Sequence, residues 1–121
     1  MGQARADIVR EEGAKVVKRV NLARRKDGMS VEDFHAYWTG PHVAIVRQLK
    51  NLRGLRLNLI LEGGADREWD GIGELWFDSI EACREAFETE PVRSLLAADR
   101  PKFLGRNQVY FVREHTVVPP P

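Results

Sequence analysis

Apolar and polar residues alternate in some stretches of this chain and follow a helical period in others. Residues 15–22 form a β-branched, partly alternating run that ends in the turn-forming residues 26–28, which predicts a first strand. Ser30 is a good N-cap, and Asp33 stands three residues on in an approximate capping box. Apolar residues then recur at helical spacing as far as Leu52, which predicts the first helix.

One side of this predicted helix carries an apolar stripe that must pack against a sheet. At 100° per residue the stripe occupies an arc of roughly 80°. Its members are Phe34, Trp38, His42, Ile45 and Leu49. Gly40 and Pro41 interrupt the run, since a proline removes one backbone donor and clashes with the carbonyl four residues back. We therefore expect a kink or a restart of the helix at this point.

Two further strands are predicted in the middle of the chain. Residues 55–61 alternate leucine with mostly polar residues, and residues 72–77 are rich in large apolar side chains. Gly63 and Gly64 lie in the polar stretch between the two runs. We expect strands two and three to form an antiparallel hairpin.

The remaining residues predict a second helix and a last strand. Asp78 and Ser79 can cap the helix, which we expect to restart at Pro91 and to end at Gly105. Residues 109–118 are predicted as strand four. Three prolines follow, and they cannot extend a sheet.

The order of these elements, β-α-β-β-α-β, predicts a ferredoxin-like α+β fold. In this arrangement two helices cover one face of a four-stranded antiparallel sheet. The other face would expose a larger apolar patch than a monomer usually tolerates, so a second copy is the simplest cover and a homodimer is expected. The 121 residues allow one domain, which we place at residues 14–118, between an N-terminal extension (1–13) and a C-terminal tail (119–121).

Composition and charge exclude several classes of function. Nineteen basic and eighteen acidic side chains leave a net charge of +1, so nucleic acid is not an expected partner. Cys83 is the single cysteine and no two histidines have the close spacing of a metal site, so neither an intrachain disulfide nor a metal is expected. No stretch approaches the ~20 apolar residues that span a bilayer, and the N-terminus lacks the apolar core of a leader. We therefore expect no membrane association and a cytoplasmic location.

Two ionisable residues at apolar positions are candidate catalytic residues. His42 lies near the edge of the apolar stripe, where an imidazole is costly to bury unless both nitrogens are bonded. It is either a proton-transfer group whose pKa is tuned by burial beside a carboxylate, or a core histidine bonded to backbone. Glu74 shares a strand face with Ile72 and Trp76. It either orients His42 or transfers a proton itself, or else it forms a salt bridge with a neighbouring strand.

Aromatic and amide side chains are the candidate substrate-binding residues. Trp38, Trp76 and Tyr37 would suit the walls of a pocket for a flat aromatic molecule, although such residues are more often core. Phe34 is assigned to packing alone. Asn58 lies on the polar face of the predicted strand two, and it either holds a substrate oxygen or faces solvent.

Three segments of the chain are similar to one known family. They are MSVEDFHAYWTGPH at residues 29–42, WDGIGELWFDS at residues 69–79 and REH at residues 113–115. Together they resemble the EthD family of dimeric α/β-barrel proteins, and the resemblance extends over residues 14–118. The extension at residues 1–13 departs from the typical start of the family.

The resemblance implies both an assembly and a range of activities. Family members form homodimers whose two sheets close a barrel, with a pocket in each subunit between helices and sheet. Some are cyclases, isomerases or dehydratases that act without a cofactor on polyketide-like aromatics or lactones, and others accompany oxidative degradation pathways. The family's aromatic-x-x-x-His pattern falls here on Trp38 and His42.

These observations lead to two hypotheses of function. The first is a cofactor-independent enzyme that transfers a proton through His42 on a small hydrophobic oxygenated molecule, by cyclisation, isomerisation or dehydration. The alternative is a non-catalytic accessory protein of a degradation or biosynthetic pathway, which binds a small molecule in the same pocket. Both hypotheses need the pocket, so only turnover distinguishes them.

Overall fold

The structure, a computed structural model, describes residues 16–121, so the expected extension at residues 1–13 and the expected domain start at residue 14 lie outside it. The strands are β1 (Val17–Arg25), β2 (Gly54–Leu59), β3 (Gly71–Phe77) and β4 (Leu104–Val112). The helices are α1 (Val31–Tyr37), α2 (Val43–Val46), α3 (Ile80–Glu88) and α4 (Val92–Asp99). A π-helical turn, Trp38–His42, joins α1 to α2, and a 3₁₀ turn, Arg100–Lys102, follows α4. None of the helices within residues 16–121 has the length and apolar character needed to cross a bilayer.

The four strands form one antiparallel sheet in the order β2-β3-β1-β4. This order confirms the predicted ferredoxin-like α+β fold. Successive residues of a strand point to opposite faces of the sheet. Ala23, Leu75 and Phe77 are buried against the helices, whereas the alternate positions, among them Glu74 and Trp76, point to the other face.

The first helix begins at its predicted cap and is interrupted at its predicted break. Oγ of Ser30 accepts a hydrogen bond of 3.0 Å from the N–H of Asp33. The π-helical turn contains Pro41, which confirms the expected kink or restart. The helix ends at Val46, earlier than expected, because the N–H groups of Gln48 and Leu49 bond to carbonyls three residues back and so form turns.

Two apolar clusters fill the space between the helices and the sheet. The first contains Val46, Leu49, Leu75, Phe77, Cys83, Ala86, Val92 and Leu96. The second contains Ala23, Phe34, Trp38 and Phe103. Cys83 is buried in the first cluster, and burial raises the pKa of its thiol.

Two glycines of β3 allow side chains from neighbouring elements to lie flat against the sheet. A Cβ atom on Gly71 would overlap the indole ring of Trp38, and one on Gly73 would overlap Oδ1 of Asn21. Either side chain would have to move away to restore van der Waals separation. The Gly-x-Gly spacing of β3 therefore fixes where Trp38 and Asn21 lie.

The last strand begins and ends earlier than the sequence predicts. It runs from Leu104 to Val112, whereas residues 109–118 were expected to form it. Gly105, expected to end the preceding helix, lies within β4, where a Cβ atom would come within 2.5 Å of the carbonyl oxygen of Arg25. This glycine permits a close approach of two strands at a register shift in their pairing. The helix stop predicted at Gly105 is therefore wrong.

A buried carboxylate ties the segment before β3 to the end of β1. Oδ1 of Asp70 accepts from Nη1 of Arg25 at 2.7 Å and from Nε of Arg67 at 3.2 Å. Oδ2 accepts from the N–H of Arg25 at 2.9 Å. Burial acts to raise the pKa of Asp70, but these hydrogen bonds and the two guanidinium charges outweigh it, so the pKa is lowered. His35 is partly buried here, with Nε2 2.8 Å from the carbonyl oxygen of Asp70.

We expect Asp70→Asn to destabilise the protein by about 3 kcal/mol, because the change leaves two guanidinium groups without their carboxylate. This lies at the low end for a buried pair, since Arg25 and Arg67 keep some contact with solvent. Urea unfolding at pH 7 measures the difference. Asp78→Asn removes an exposed ion pair with Arg53 and should cost less than about 1 kcal/mol.

The same carboxylate should make stability depend on acid pH. Because the pKa of Asp70 is lower in the folded than in the unfolded chain, its contribution is complete above the unfolded pKa and is lost as the pH falls through the folded one. The Asp70→Asn variant should lack this loss. Equal costs for the Asp70 and Asp78 variants would contradict the anchoring role.

Candidate functional site

A cavity lies between the two apolar clusters, on the helix side of the sheet. The enclosed part of the cavity has a volume of about 50 Å³, and with the space at its open side the volume is about 560 Å³. Apolar wall residues include Trp38, Val46, Leu75, Leu96 and Phe103. The polar wall residues are Arg19, Asn21, His42, Arg100 and Asn107. An apolar pocket with a few converging polar groups is the usual form of a small-molecule site.

Asp99, the last residue of α4, joins two side chains of the first helix. Its Oδ2 lies 2.8 Å from Nδ1 of His42, and its Oδ1 accepts a hydrogen bond of 2.5 Å from the hydroxyl of Tyr37. Asp99 is 2% exposed, so its two oxygens require donors from the protein. Because a carboxylate can only accept, Nδ1 of His42 carries the ring proton and Nε2 keeps its lone pair.

The π-helical turn explains how Tyr37 and His42 reach the same carboxylate. In an α-helix, residues five apart are separated by about 140° around the axis. A π-helical turn pairs groups five residues apart and contains more residues per turn, so that separation becomes smaller. The turn at Trp38–His42 therefore brings both donors to the side on which Asp99 lies.

Burial keeps His42 neutral. Burial lowers the pKa of His42; the hydrogen bond and charge of Asp99 act in the opposite direction without cancelling it, and the charge of Arg100 lowers it further. The ring packs against Phe103 with centroids 4.7 Å apart. Within residues 16–121, Nε2 of His42 has no hydrogen-bond partner. A neutral imidazole with a free lone pair in a cavity wall has the properties of a general base.

Tyr37 does not line the cavity, but it donates a hydrogen bond to Asp99, which in turn contacts His42. Its hydrogen bond to Asp99, followed by burial and the carboxylate charge, raises the pKa of Tyr37, so the phenol stays protonated and remains a donor. Trp38, by contrast, is part of the wall, and its ring stacks on that of Phe34 with centroids 5.6 Å apart. Phe34 is fully buried, in keeping with its assignment to packing.

The structure separates the other candidates from His42. Glu74, Asn58 and Trp76 point to the face of the sheet opposite the cavity. Oε2 of Glu74 lies 2.6 Å from Nζ of Lys18, and its Oε1 accepts a hydrogen bond of 2.9 Å from Nδ2 of Asn58. The expected contact between Glu74 and His42 is therefore wrong, because strand alternation places them on opposite sides of the sheet. The alternative expectation, a salt bridge to a neighbouring strand, is the one observed.

Several residues of the site are not among the predicted ones, although the sequence contains signals for them. Asp99 follows Val92 and Leu96 on the apolar side of α4, where a carboxylate is unusual. Arg19 and Asn21 occupy the helix-facing positions of β1 that alternate with its other side chains. No three metal-ligating side chains converge among the residues that the structure describes.

A family model for the EthD domain matches residues 26–107. The chain belongs to the EthD family. The matched range contains both ends of the contact between His42 and Asp99, and it confirms the resemblance seen in the sequence. The comparison with curated proteins gave no match.

Solved structures with the same fold extend the comparison. An EthD-family protein from Bacillus halodurans superposes with a TM-score of 0.67 at 19% identity, covering 83% of this chain and 99% of the other. A dimeric protein of ferredoxin-like fold from Bacteroides fragilis gives 0.62 at 14% identity, with coverages of 83% and 97%. A hydroxynitrile lyase from Passiflora edulis gives 0.67 at 14% identity, with coverages of 88% and 99%. At these identities the likeness concerns the fold.

We expect His42 to titrate below its pKa in the unfolded chain, and Asp99→Asn to lower that pKa further, because the carboxylate is what opposes the effect of burial. Imidazole ring signals followed by NMR over a pH series give both values. The reference is the same histidine in the protein unfolded by urea. A folded-state pKa above that reference would contradict the neutral form of His42.

Proposed function

We propose that this protein is a cofactor-independent enzyme that transfers a proton on a small hydrophobic oxygenated molecule. The reaction class is cyclisation, isomerisation or dehydration, and a polyketide-like aromatic or a lactone suits the apolar cavity. The observation that carries the proposal is the 2.8 Å contact between Asp99 and Nδ1 of His42 at the cavity wall. A carboxylate at one ring nitrogen sets the tautomer and leaves the other nitrogen to accept the substrate proton.

In this proposal His42 is the catalytic residue, and Asp99 and Tyr37 position it. Nε2 takes a proton from a carbon next to a substrate carbonyl and returns it to a second carbon in an isomerisation, or to a departing hydroxyl that leaves as water in a dehydration. The charge of Asp99 stabilises the imidazolium that forms between the two steps. The hydrogen bond from Tyr37 keeps the carboxylate oriented toward His42.

The comparisons support an enzyme in a general way. One structure of the same fold is a hydroxynitrile lyase, so the fold accommodates chemistry on a small molecule. At 14% identity that likeness carries no residue role over to this chain. The assignment of roles to His42, Asp99 and Tyr37 rests on the geometry of this cavity alone.

His42→Asn should reduce kcat/KM about 100- to 10,000-fold, the usual contribution of a positioned proton-transfer group. The fold should survive, because Asn is polar and smaller, and the affinity for ligand should change far less than the rate. The assay screens phenolic polyketides and lactones for turnover, and circular dichroism follows folding. His115→Asn, at an exposed position outside the cavity, is the matched control.

Two outcomes would favour the accessory protein instead. If the His42→Asn variant supports turnover at the parental rate, His42 is not the base. If ligands bind in the cavity of the parental protein and none is converted, the pocket serves binding without catalysis.

We also infer that two copies pair through β4 and the sheet face that carries no helix. Val109, Tyr110, Phe111 and Val112 are consecutive large apolar residues of β4, and each is 36% to 48% exposed. An edge strand of this kind is an unfavourable surface for a monomer. The dimeric ferredoxin-like protein from Bacteroides fragilis supports such an assembly.

Light scattering should therefore give a mass of about twice 13.8 kDa. Tyr110→Glu should shift the mass toward that of one chain, because it places a charge in the apolar contact. Leu61→Glu changes an apolar residue that is 86% exposed outside the sheet, and it should leave the mass unchanged. A monodisperse monomer of the parental chain at micromolar concentration would rule out the pairing.

A further inference from the structure

Two arginines line the cavity, and within residues 16–121 neither has a carboxylate partner. Arg19 and Arg100 both line it. Among residues 16–121, neither side chain makes an ion pair or a hydrogen bond with another protein group. By contrast Arg25, Arg53, Arg67 and Arg106 of the described chain are each paired with Asp or Glu. The two cavity arginines therefore differ from these four, since no carboxylate of residues 16–121 pairs with them.

The guanidinium of Arg19 contacts an aromatic ring, and it makes no ion pair within residues 16–121. Its Cζ lies 4.4 Å from the centroid of the Phe87 ring. A cation–π contact of this kind holds the guanidinium over the ring but leaves its N–H donors unused. Burial, with the charge of Arg100, lowers the pKa of Arg19. The group thus bears a desolvation cost that no ion pair within the described part of the chain offsets.

The other polar groups of the cavity do not neutralise this charge. Asp99 is the nearby carboxylate, and His42 and Tyr37 already occupy its two oxygens. Asn21 and Asn107 are neutral, and Nδ2 of Asn21 donates to Oδ1 of Asn107 at 3.3 Å. The donors left over belong to the arginines and to the amide groups of Asn21 and Asn107. The cavity is therefore complementary to an anion.

We propose that the ligand of this cavity is a small carboxylate, with its carboxylate group bound by Arg19 and Arg100 and its apolar part against Trp38 and Phe103. The planar fork of a guanidinium matches the two oxygens of a carboxylate. The enclosed part of the cavity is small, about 50 Å³, so a compact acid with a single ring is a suitable probe. The inference rests on the proposed function insofar as the bound acid is the substrate of His42, and it adds the charge that the substrate carries.

Binding of benzoate and of its neutral isostere benzamide tests the charge without any turnover. Isothermal titration at pH 7 should show benzoate binding roughly 10- to 100-fold more tightly than benzamide, the range for hydrogen bonds to a charged group. Arg19→Gln should remove most of that preference, because it should weaken the binding of benzoate far more than that of benzamide. Arg93→Gln, an exposed position on α4 outside the cavity, is the matched control and should keep the preference.

A second variant keeps the test decisive if Arg19→Gln does not fold. Arg100 is an exposed residue, so Arg100→Gln should fold, and it should reduce benzoate affinity several-fold. Equal affinities for benzoate and benzamide in the parental protein, or an unchanged preference in both variants, would overturn the proposal. Because His42→Asn should leave the benzoate preference intact, loss of turnover and loss of anion selectivity report on separate claims.

Discussion

The carboxylate of Asp99 is buried at the end of α4, and the site depends on the two hydrogen bonds that it accepts. A helix C-terminus carries partial negative charge, so a carboxylate there is unfavourable unless donors compensate it. Tyr37 and His42 supply those donors, and they can do so together because the helix between them is wound as a π turn. Pro41 removes a backbone donor within that turn. The π-helical turn therefore allows both hydrogen bonds to Asp99, and the bond from His42 fixes the ring proton on Nδ1.

The alternation of β3 determines what each face of the sheet contains. On one face Gly71 and Gly73 leave room for Trp38 and Asn21, which would otherwise be displaced from the sheet. On the other face Glu74 forms an ion pair with Lys18. The apolar cavity and the paired charges thus follow from the same seven-residue strand, read at odd and even positions.

The sequence was sufficient for the fold and for part of the site. Hydrophobic periods predicted the order of the strands and helices, and the apolar stripe placed Trp38 and His42 at the cavity. Strand four was misplaced because Gly105 resembles a helix stop in sequence, whereas its role is a close approach to Arg25. Asp99 was missed because its partners are about sixty residues away along the chain. Periodicity orients a side chain within its own element, and it cannot show which residue of another element it meets.

Lys18 and Arg19 are neighbours in the chain, and their opposite surroundings distinguish the two faces of the sheet. Nζ of Lys18 lies 2.6 Å from Glu74 and 3.1 Å from Glu114, and although burial acts to lower its pKa, these two carboxylates raise it. Arg19 points the other way, stacks on Phe87, and has its pKa lowered by burial. Lys18 is thus paired with two carboxylates, whereas no carboxylate of residues 16–121 pairs with Arg19. The unbalanced charge lies beside the cavity that His42 faces, and an anion entering that cavity would supply the partner which the fold leaves out.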